Sequence, residues 1–548
     1  MTEPKRFCEM ASEQVFARKA SGLVKEVRTR DALFFGVSYA NPWVGMAVIL
    51  MTYPWIASGG SLTLGVLLCA VGSAFHVSMY AFLAMTMPRS GGDYVWVSRI
   101  LHPAIGFAQS LVIVVSGLFW FGITPGIWLV MLPNMISLVG AMAGNTGIIH
   151  IAAIFSIPWM LSVIGVLLAV VFIFVLFFGQ RVYFKIQTSL IVFVFFTIGL
   201  FVVLSLFTSR ATFLSRFDNI AWYLTGDHYY AQTLMAQATK DGLLPIPQLS
   251  GGQWLWATLF VMPMAFWSIG YPYFSTYIAG EWKEAKMTAL VSCLGGLAIC
   301  VIVILASMAS IINVAGEPLV QALANGYYVH PSTYFGIAPY AYLYAAGVTD
   351  NLVVFGIICA GSLAMAILAV FVALYPLTRC IFAWAFDRIV PEKLGSVSSR
   401  YHVPIPAILL SGAGGIIIVL LFQYLYSLAL ELTISIVIST VIFSFTMVAL
   451  TAIVLPWRRK EIYETSPIQY KVLGFPVISL LGICDLIFLS FIGYSYVSVS
   501  AFGSFDWGSY EFFTALFCLG LIGYFISRAY RKRQKIDLDL TFREIPPA

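Results

Sequence analysis

The sequence predicts an all-α integral membrane protein of twelve transmembrane helices, two of them broken. Three observations carry this. Of the 548 residues, 60% are hydrophobic and 10% are charged, whereas an ordinary soluble chain carries about a quarter charged residues. Twelve apolar runs reach the roughly twenty residues that a helix needs to cross the hydrocarbon core. The 30 Lys and Arg fall almost entirely on one side of the topology those runs define.

The runs lie at about 32–56, 61–87, 105–138, 151–178, 184–208, 254–280, 287–313, 350–378, 404–424, 427–456, 473–501 and 509–528. An even number places both termini on the same side. With the N-terminus inside, the basic residues collect in the N-terminal segment, in the loops after spans 2, 4, 6, 8 and 10, and in the tail. Only Arg210, Arg216 and Lys240 fall outside, in one long outer loop. Such charges face anionic lipid, which accounts for the net charge of +6 without nucleic acid. A multi-pass protein of the cell membrane with both termini cytoplasmic is therefore expected. The first thirty residues are polar and charged and lack a short apolar core, so no cleavable signal peptide is expected.

These runs divide the chain into a cytoplasmic segment 1–30, spans 1–5 over 31–208, an extracellular loop 209–253, spans 6–10 over 254–456, spans 11 and 12 over 457–528, and a cytoplasmic tail 529–548. The outer loops 209–253 and 314–349 are rich in Tyr, Gly and Pro and long enough for short helices of their own.

Two runs are interrupted where a helix should be continuous. In the first, GVSYANPWVG (36–45) sets two glycines and a proline in mid-span. Pro42 supplies no N–H and clashes with the preceding turn, so the hydrogen-bond ladder is expected to open there. In the sixth, Gly270-Tyr271-Pro272 repeats the pattern. An unpaired backbone group in lipid costs several kcal/mol, so breaks persist only against protein or a wet cavity. Paired breaks at corresponding places in two halves point to the site of a secondary transporter.

The eight cysteines show no metal-ligand spacing, and all but Cys8 lie in or at the end of apolar runs, so neither disulfides nor a metal site are expected. No catalytic triad, phosphate loop or HExxH pattern is present, and no enzyme is expected. His76, Glu431 and Asp485 are the ionisable residues inside or near the end of apolar runs, and such residues are functional candidates because burying a charge is costly.

Two loop blocks carry a family resemblance. PRSGGDYVWVSR (88–99), followed by Gly106-Phe107, resembles the signature after the second span of the amino acid–polyamine–organocation (APC) transporter superfamily. TRCIFAWAFDRIVPEKLGSVSSRYHVPIPAIL (378–409) resembles that superfamily's stretch after span 8, with Arg379, Asp387, Pro391, Arg400 and Pro404 in register. Gly179, Lys185 and Gln187 resemble the start of its span 5, and FWSIGYPYF with Glu281 resembles its span 6. The resemblance covers about 21–535. It implies a LeuT-type fold: two inverted five-helix repeats, spans 1–5 and 6–10, plus spans 11 and 12.

It further implies a permease for amino acids or related small amines, working by alternating access as an ion-coupled symporter or an exchanger. Substrate would sit between broken helices 1 and 6, its carboxylate on freed amides and its ammonium on freed carbonyls. Carried onto this chain, that site takes Ser38, Tyr39, Ala40, Asn41 and Gly45 from span 1, with Trp267, Ser268, Gly270 and Tyr271 from span 6. Of the glycines the family pattern places near 36, 38, 42 and 44, only Gly36 is kept.

No cofactor is expected beyond a coupling proton or sodium ion. Ser362 in the small-residue patch of span 8, Asp485 and His76 are the ion-coupling candidates. The lysine that some proton-coupled members of the superfamily carry within span 5 would fall near Val194 here, so a proton carrier would have to be another residue. Expected partners are a small amino acid or amine and the lipid bilayer. The alternative reading is a transporter-like sensor or partner subunit that binds its ligand without moving it. A major facilitator arrangement is disfavoured, because spans 6 and 7 are joined only by about Glu281–Lys286.

Overall fold

The computed structural model describes residues 22–129, 131–425, 436, 438–499 and 507–543. Most of the segment 1–30, with Cys8, and Glu431 in span 10 lie outside the described residues. Among those described, the regular elements are helices apart from one small hairpin, Lys471–Val472 against Phe475–Pro476. Eleven helices are long and apolar enough to cross a membrane. They fall on eleven of the twelve expected spans. The fourth span, expected at 151–178, falls on the apolar helix Pro158–Phe177, which is preceded by the short helix Thr146–Phe155. Helices also fill the two long outer loops, at Arg210–Thr225, Tyr230–Lys240, Glu317–Val329 and Ala341–Val348.

Span 8 runs further than its hydropathy suggests, from Leu352 to Phe386 rather than stopping near 378. Arg379 ends the apolar run in sequence, yet it is fully buried and paired, so the helix continues past it. Elsewhere the apolar belt faces outward. Leu167, Phe174, Phe196 and Val203 are each about half exposed, as side chains meeting lipid tails would be.

The break in span 1 is a single residue. Helix 1a is Thr29–Ala40 and helix 1b is Pro42–Ile56. Between them Asn41 adopts the left-handed conformation (φ 50°, ψ 57°), closing 1a through its amide to the Val37 carbonyl at 3.0 Å. Asparagine is among the few residues other than glycine that visit this region readily. Pro42 then opens 1b at its first position, where a missing N–H costs nothing. The break therefore lies at Asn41, one residue before the proline that signals it.

Span 6 is interrupted more gently. Helix Val261–Ile269 (6a) passes through Gly270, which keeps helical angles (φ −77°, ψ −16°), into a 3₁₀ segment Tyr271–Tyr277 (6b). Helix 1a packs on 6b and 1b packs on 6a, so the two interruptions face each other. Two glycines allow this. A Cβ on Gly36 would lie 2.6 Å from the Pro272 carbonyl oxygen, and one on Gly45 would overlap the Ser268 hydroxyl. Span 11 packs on spans 2 and 10, and span 12 on span 3.

The left-handed residue gives a direct test. Asn41→Gly should leave the melting temperature of the purified protein near wild type. Asn41→Val should lower stability by about 1–2 kcal/mol, the cost of forcing a side chain without a local hydrogen bond into this region. Equal melting temperatures would mean that the break does not depend on the left-handed residue.

Candidate substrate site

A cavity of about 60 Å³ lies where the two interruptions meet. Tyr39, Ala40, Asn41, Val44 and Gly45 line it from span 1, and Trp267, Ser268 and Tyr271 from span 6. Trp120 of span 3 and Ala369 and Ala373 of span 8 complete it. The volume is far below the roughly 300–1,000 Å³ of pockets for drug-sized ligands. The Trp120 and Trp267 rings meet at 4.9 Å on one wall. Tyr39 stacks on Phe274 at 3.7 Å and 15°, below the break on the side where the described chain begins, here termed the N-face.

Among the described residues, no Asp, Glu, Lys or Arg lines the cavity. Charged ends of a ligand would therefore be met by backbone. The last carbonyls of 1a and the first amides of 1b have no partners within their helices, and the helix dipoles set opposite partial charges there. Asn41 adds a buried Oδ1 with no hydrogen-bond partner among the described residues. The aromatic faces suit an ammonium group.

Two residues assigned from the sequence lie elsewhere. The Ser38 hydroxyl turns away to donate to the Phe34 carbonyl (2.7 Å), and it accepts from Gln187 Nε2 of span 5 (3.4 Å). Gly270 packs under the Phe266 ring, where a Cβ would come within 2.4 Å, so its smallness serves span 6 rather than a ligand. Val44, Trp120, Ala369 and Ala373 were not singled out in the sequence. The i, i+4 alanines of span 8 were a readable signal of close approach, but a tryptophan in the apolar span 3 carried none.

The ion-coupling candidates separate into two places. His76 of span 2 and Asp485 of span 11 form a fully buried pair, with Nδ1 3.1 Å from both carboxylate oxygens. Tyr80, Phe266, Tyr273 and Phe445 surround the imidazole with centroids 4.9–5.5 Å away. Ser362 has a buried hydroxyl with no hydrogen-bond partner among the described residues. It precedes Ala369 by seven residues, about 10 Å along span 8 and away from the N-face.

On the N-face lie buried charges that the sequence left in loops. Glu281, fully buried after span 6, accepts from Arg379 Nε (2.7 Å), Arg379 Nη2 (3.0 Å), the Tyr375 hydroxyl (2.9 Å) and Gln180 Nε2. A second buried pair sets Arg99 on Asp387 through two bonds of 2.7 Å, with the Tyr94 hydroxyl on the same carboxylate at 2.6 Å. The chain before span 1 straps across this end. Val27 donates to the Glu281 carbonyl (3.0 Å), and the Lys283 amide donates back to the Val27 carbonyl (3.1 Å). Tyr94, Arg99, Arg379 and Asp387 belong to the two loop blocks of resemblance, which the sequence marks as structured but not as a seal.

Paired interruptions around a small cavity, in a bundle of apolar spans sealed on one face, define a membrane transporter. The chain matches the family described as "Amino acid permease" over residues 31–523. It belongs to that family, within the APC superfamily. Comparison with curated proteins finds no match.

Asp93 adds a pH-sensitive element to the seal. Its carboxylate is fully buried in the helix Asp93–Ile100 and accepts from the Tyr277 hydroxyl of 6b at 2.6 Å. Burial pushes its pKa up to about 6, and the hydrogen bond from Tyr277 only partly offsets this. The packed state therefore binds a proton more tightly than the open chain. Its contribution to stability is full below about pH 4 and is lost as pH rises through about 6. Between pH 7 and pH 5 the melting temperature of wild type should rise relative to that of Asp93→Asn. Parallel profiles for the two proteins would rule this role out.

Proposed function

We propose that this permease carries a small neutral amino acid, or an amine of similar size, across the cell membrane by alternating access around Asn41. The observation that carries this is the cavity itself. It lies at the meeting of both interruptions, presents backbone groups of both signs, and contains no charged side chain to select a charged substrate. Its small volume suits a short side chain. The seal at Glu281 and Arg379 must part before a ligand can leave toward the N-face.

The N-face is read as cytoplasmic, because 27 of the 30 Lys and Arg fall on that side of the twelve-span topology. The coupling ion is read as a proton. No lysine stands in the middle of span 5, and the His76–Asp485 pair is a fully buried acid–base couple one turn from Tyr80. Ser362 is kept as the residue for a sodium alternative.

Uptake of a radiolabelled mixture of small neutral amino acids into proteoliposomes tests this. Uptake should be driven by an inward pH gradient and not by a sodium gradient. It should fall at least tenfold in Gly45→Val, whose side chain would occupy the space between span 1 and Ser268. Binding without uptake in the wild type would favour the sensor reading, and undiminished uptake by Gly45→Val would move the site.

A further inference from the structure

We infer that a second site, a basic cleft on the N-face, binds the phosphate of a phospholipid headgroup. The cleft, about 690 Å³, lies between residues 24–31, the first turns of span 5 and Lys283 after span 6. Lys25, Arg28, Arg30, Arg181, Lys185 and Lys283 line it, against only Glu26 and Asp31. Both carboxylates are already engaged. Glu26 holds Arg181 at 2.6–3.0 Å, and Asp31 accepts from the Arg28 amide (3.2 Å) and Arg30 Nε (3.4 Å). Lys25, Arg28, Lys185 and Lys283 are exposed and have no acidic partner among the described residues. Thr188 adds a buried hydroxyl with no hydrogen-bond partner to the wall. Four cations without an acidic partner among the described residues surround one concavity and suit an anion rich in acceptor oxygens, such as a phosphate group.

Residues 1–21 are themselves net basic, with Lys5, Arg6, Arg18 and Lys19 against Glu3, Glu9 and Glu13. The position of the cleft selects a lipid over a free anion. Lys185, Ser189, Val192 and Phe196 follow one another at helical spacing along the exposed face of span 5. Lys185 and Ser189 line the cleft, whereas Val192 and Phe196 are more than half exposed. A headgroup seated on the cations would thus lay an acyl chain along an apolar face prepared for it, with Lys185 at the boundary where basic side chains reach up to phosphate. Because the cleft wall includes the strap over Glu281, such a lipid would also hold the N-face closed.

The test measures binding of short-chain phosphatidylglycerol to the full-length protein in neutral detergent, with short-chain phosphatidylcholine and inorganic phosphate in parallel. Wild type should prefer phosphatidylglycerol, and Lys25→Gln/Lys185→Gln/Lys283→Gln should weaken that binding about tenfold or more. Lys240→Gln, an exposed lysine in the long outer loop, should not. Val192→Ser/Phe196→Ser should weaken phosphatidylglycerol but leave any phosphate binding unchanged. Equal affinity for both lipids, or a triple variant that binds as wild type, would overturn the proposal. Inorganic phosphate binding as tightly as phosphatidylglycerol would overturn its assignment to lipid. None of these readouts depends on which substrate the permease carries.

Discussion

Everything in this structure follows from the cost of leaving backbone polar groups unpaired in lipid. A helix can be interrupted inside a bilayer only where protein, water or a ligand takes up the freed amides and carbonyls. Span 1 meets the constraint with one left-handed asparagine and an N1 proline, so the opening is as short as a break can be. Span 6 meets it by tightening into a 3₁₀ segment without losing its ladder. The halves then cover one another, 1a on 6b and 1b on 6a, through the contacts at Gly36 and Gly45. What remains uncovered is a small cavity with a helix end on each side. That cavity is where the proposed substrate would sit.

The same accounting governs the closed face. Ion pairs buried as fully as Glu281–Arg379 and Arg99–Asp387 add little net stability, yet removing one partner of such a pair costs about 3–5 kcal/mol. They are tolerable here because each carboxylate takes hydrogen bonds from tyrosine as well as arginine. An opening of this face, as the proposed function requires, would hydrate both partners together and avoid the penalty of a lone buried charge. A seal of this kind is stable when closed and can still be opened. An apolar plug of equal area would lack that property.

The fold was largely legible. Apolar run length placed the spans, and a proline among small residues located both interruptions. Most of the cavity lining followed, because residues beside a broken turn must face one another across it. Where the cavity lining differs from the sequence reading, the causes are physical. Ser38 is one residue before Tyr39 and so points about 100° away, toward span 5. Gly270 is small for the sake of Phe266, and a sequence does not distinguish a glycine that admits a ligand from one that admits a ring. Arg379 looked like the end of a helix because its partner, Glu281, lies 98 residues away. Contacts at such separations set the ends of span 8, the seal and the meeting of His76 with Asp485, and none of them is a local property of the chain.

The central claim is that transport requires the N-face to open while the cavity stays in place. Ser90 in the loop after span 2 and Ile278 after 6b face each other across an antiparallel bridge on that face. A disulfide in Ser90→Cys/Ile278→Cys would tie span 6 to that loop. With the bond formed, the account predicts that amino acid binding from the other face is retained, that uptake into proteoliposomes stops, and that reductant restores it. Uptake that continues with the cross-link fully formed would contradict it.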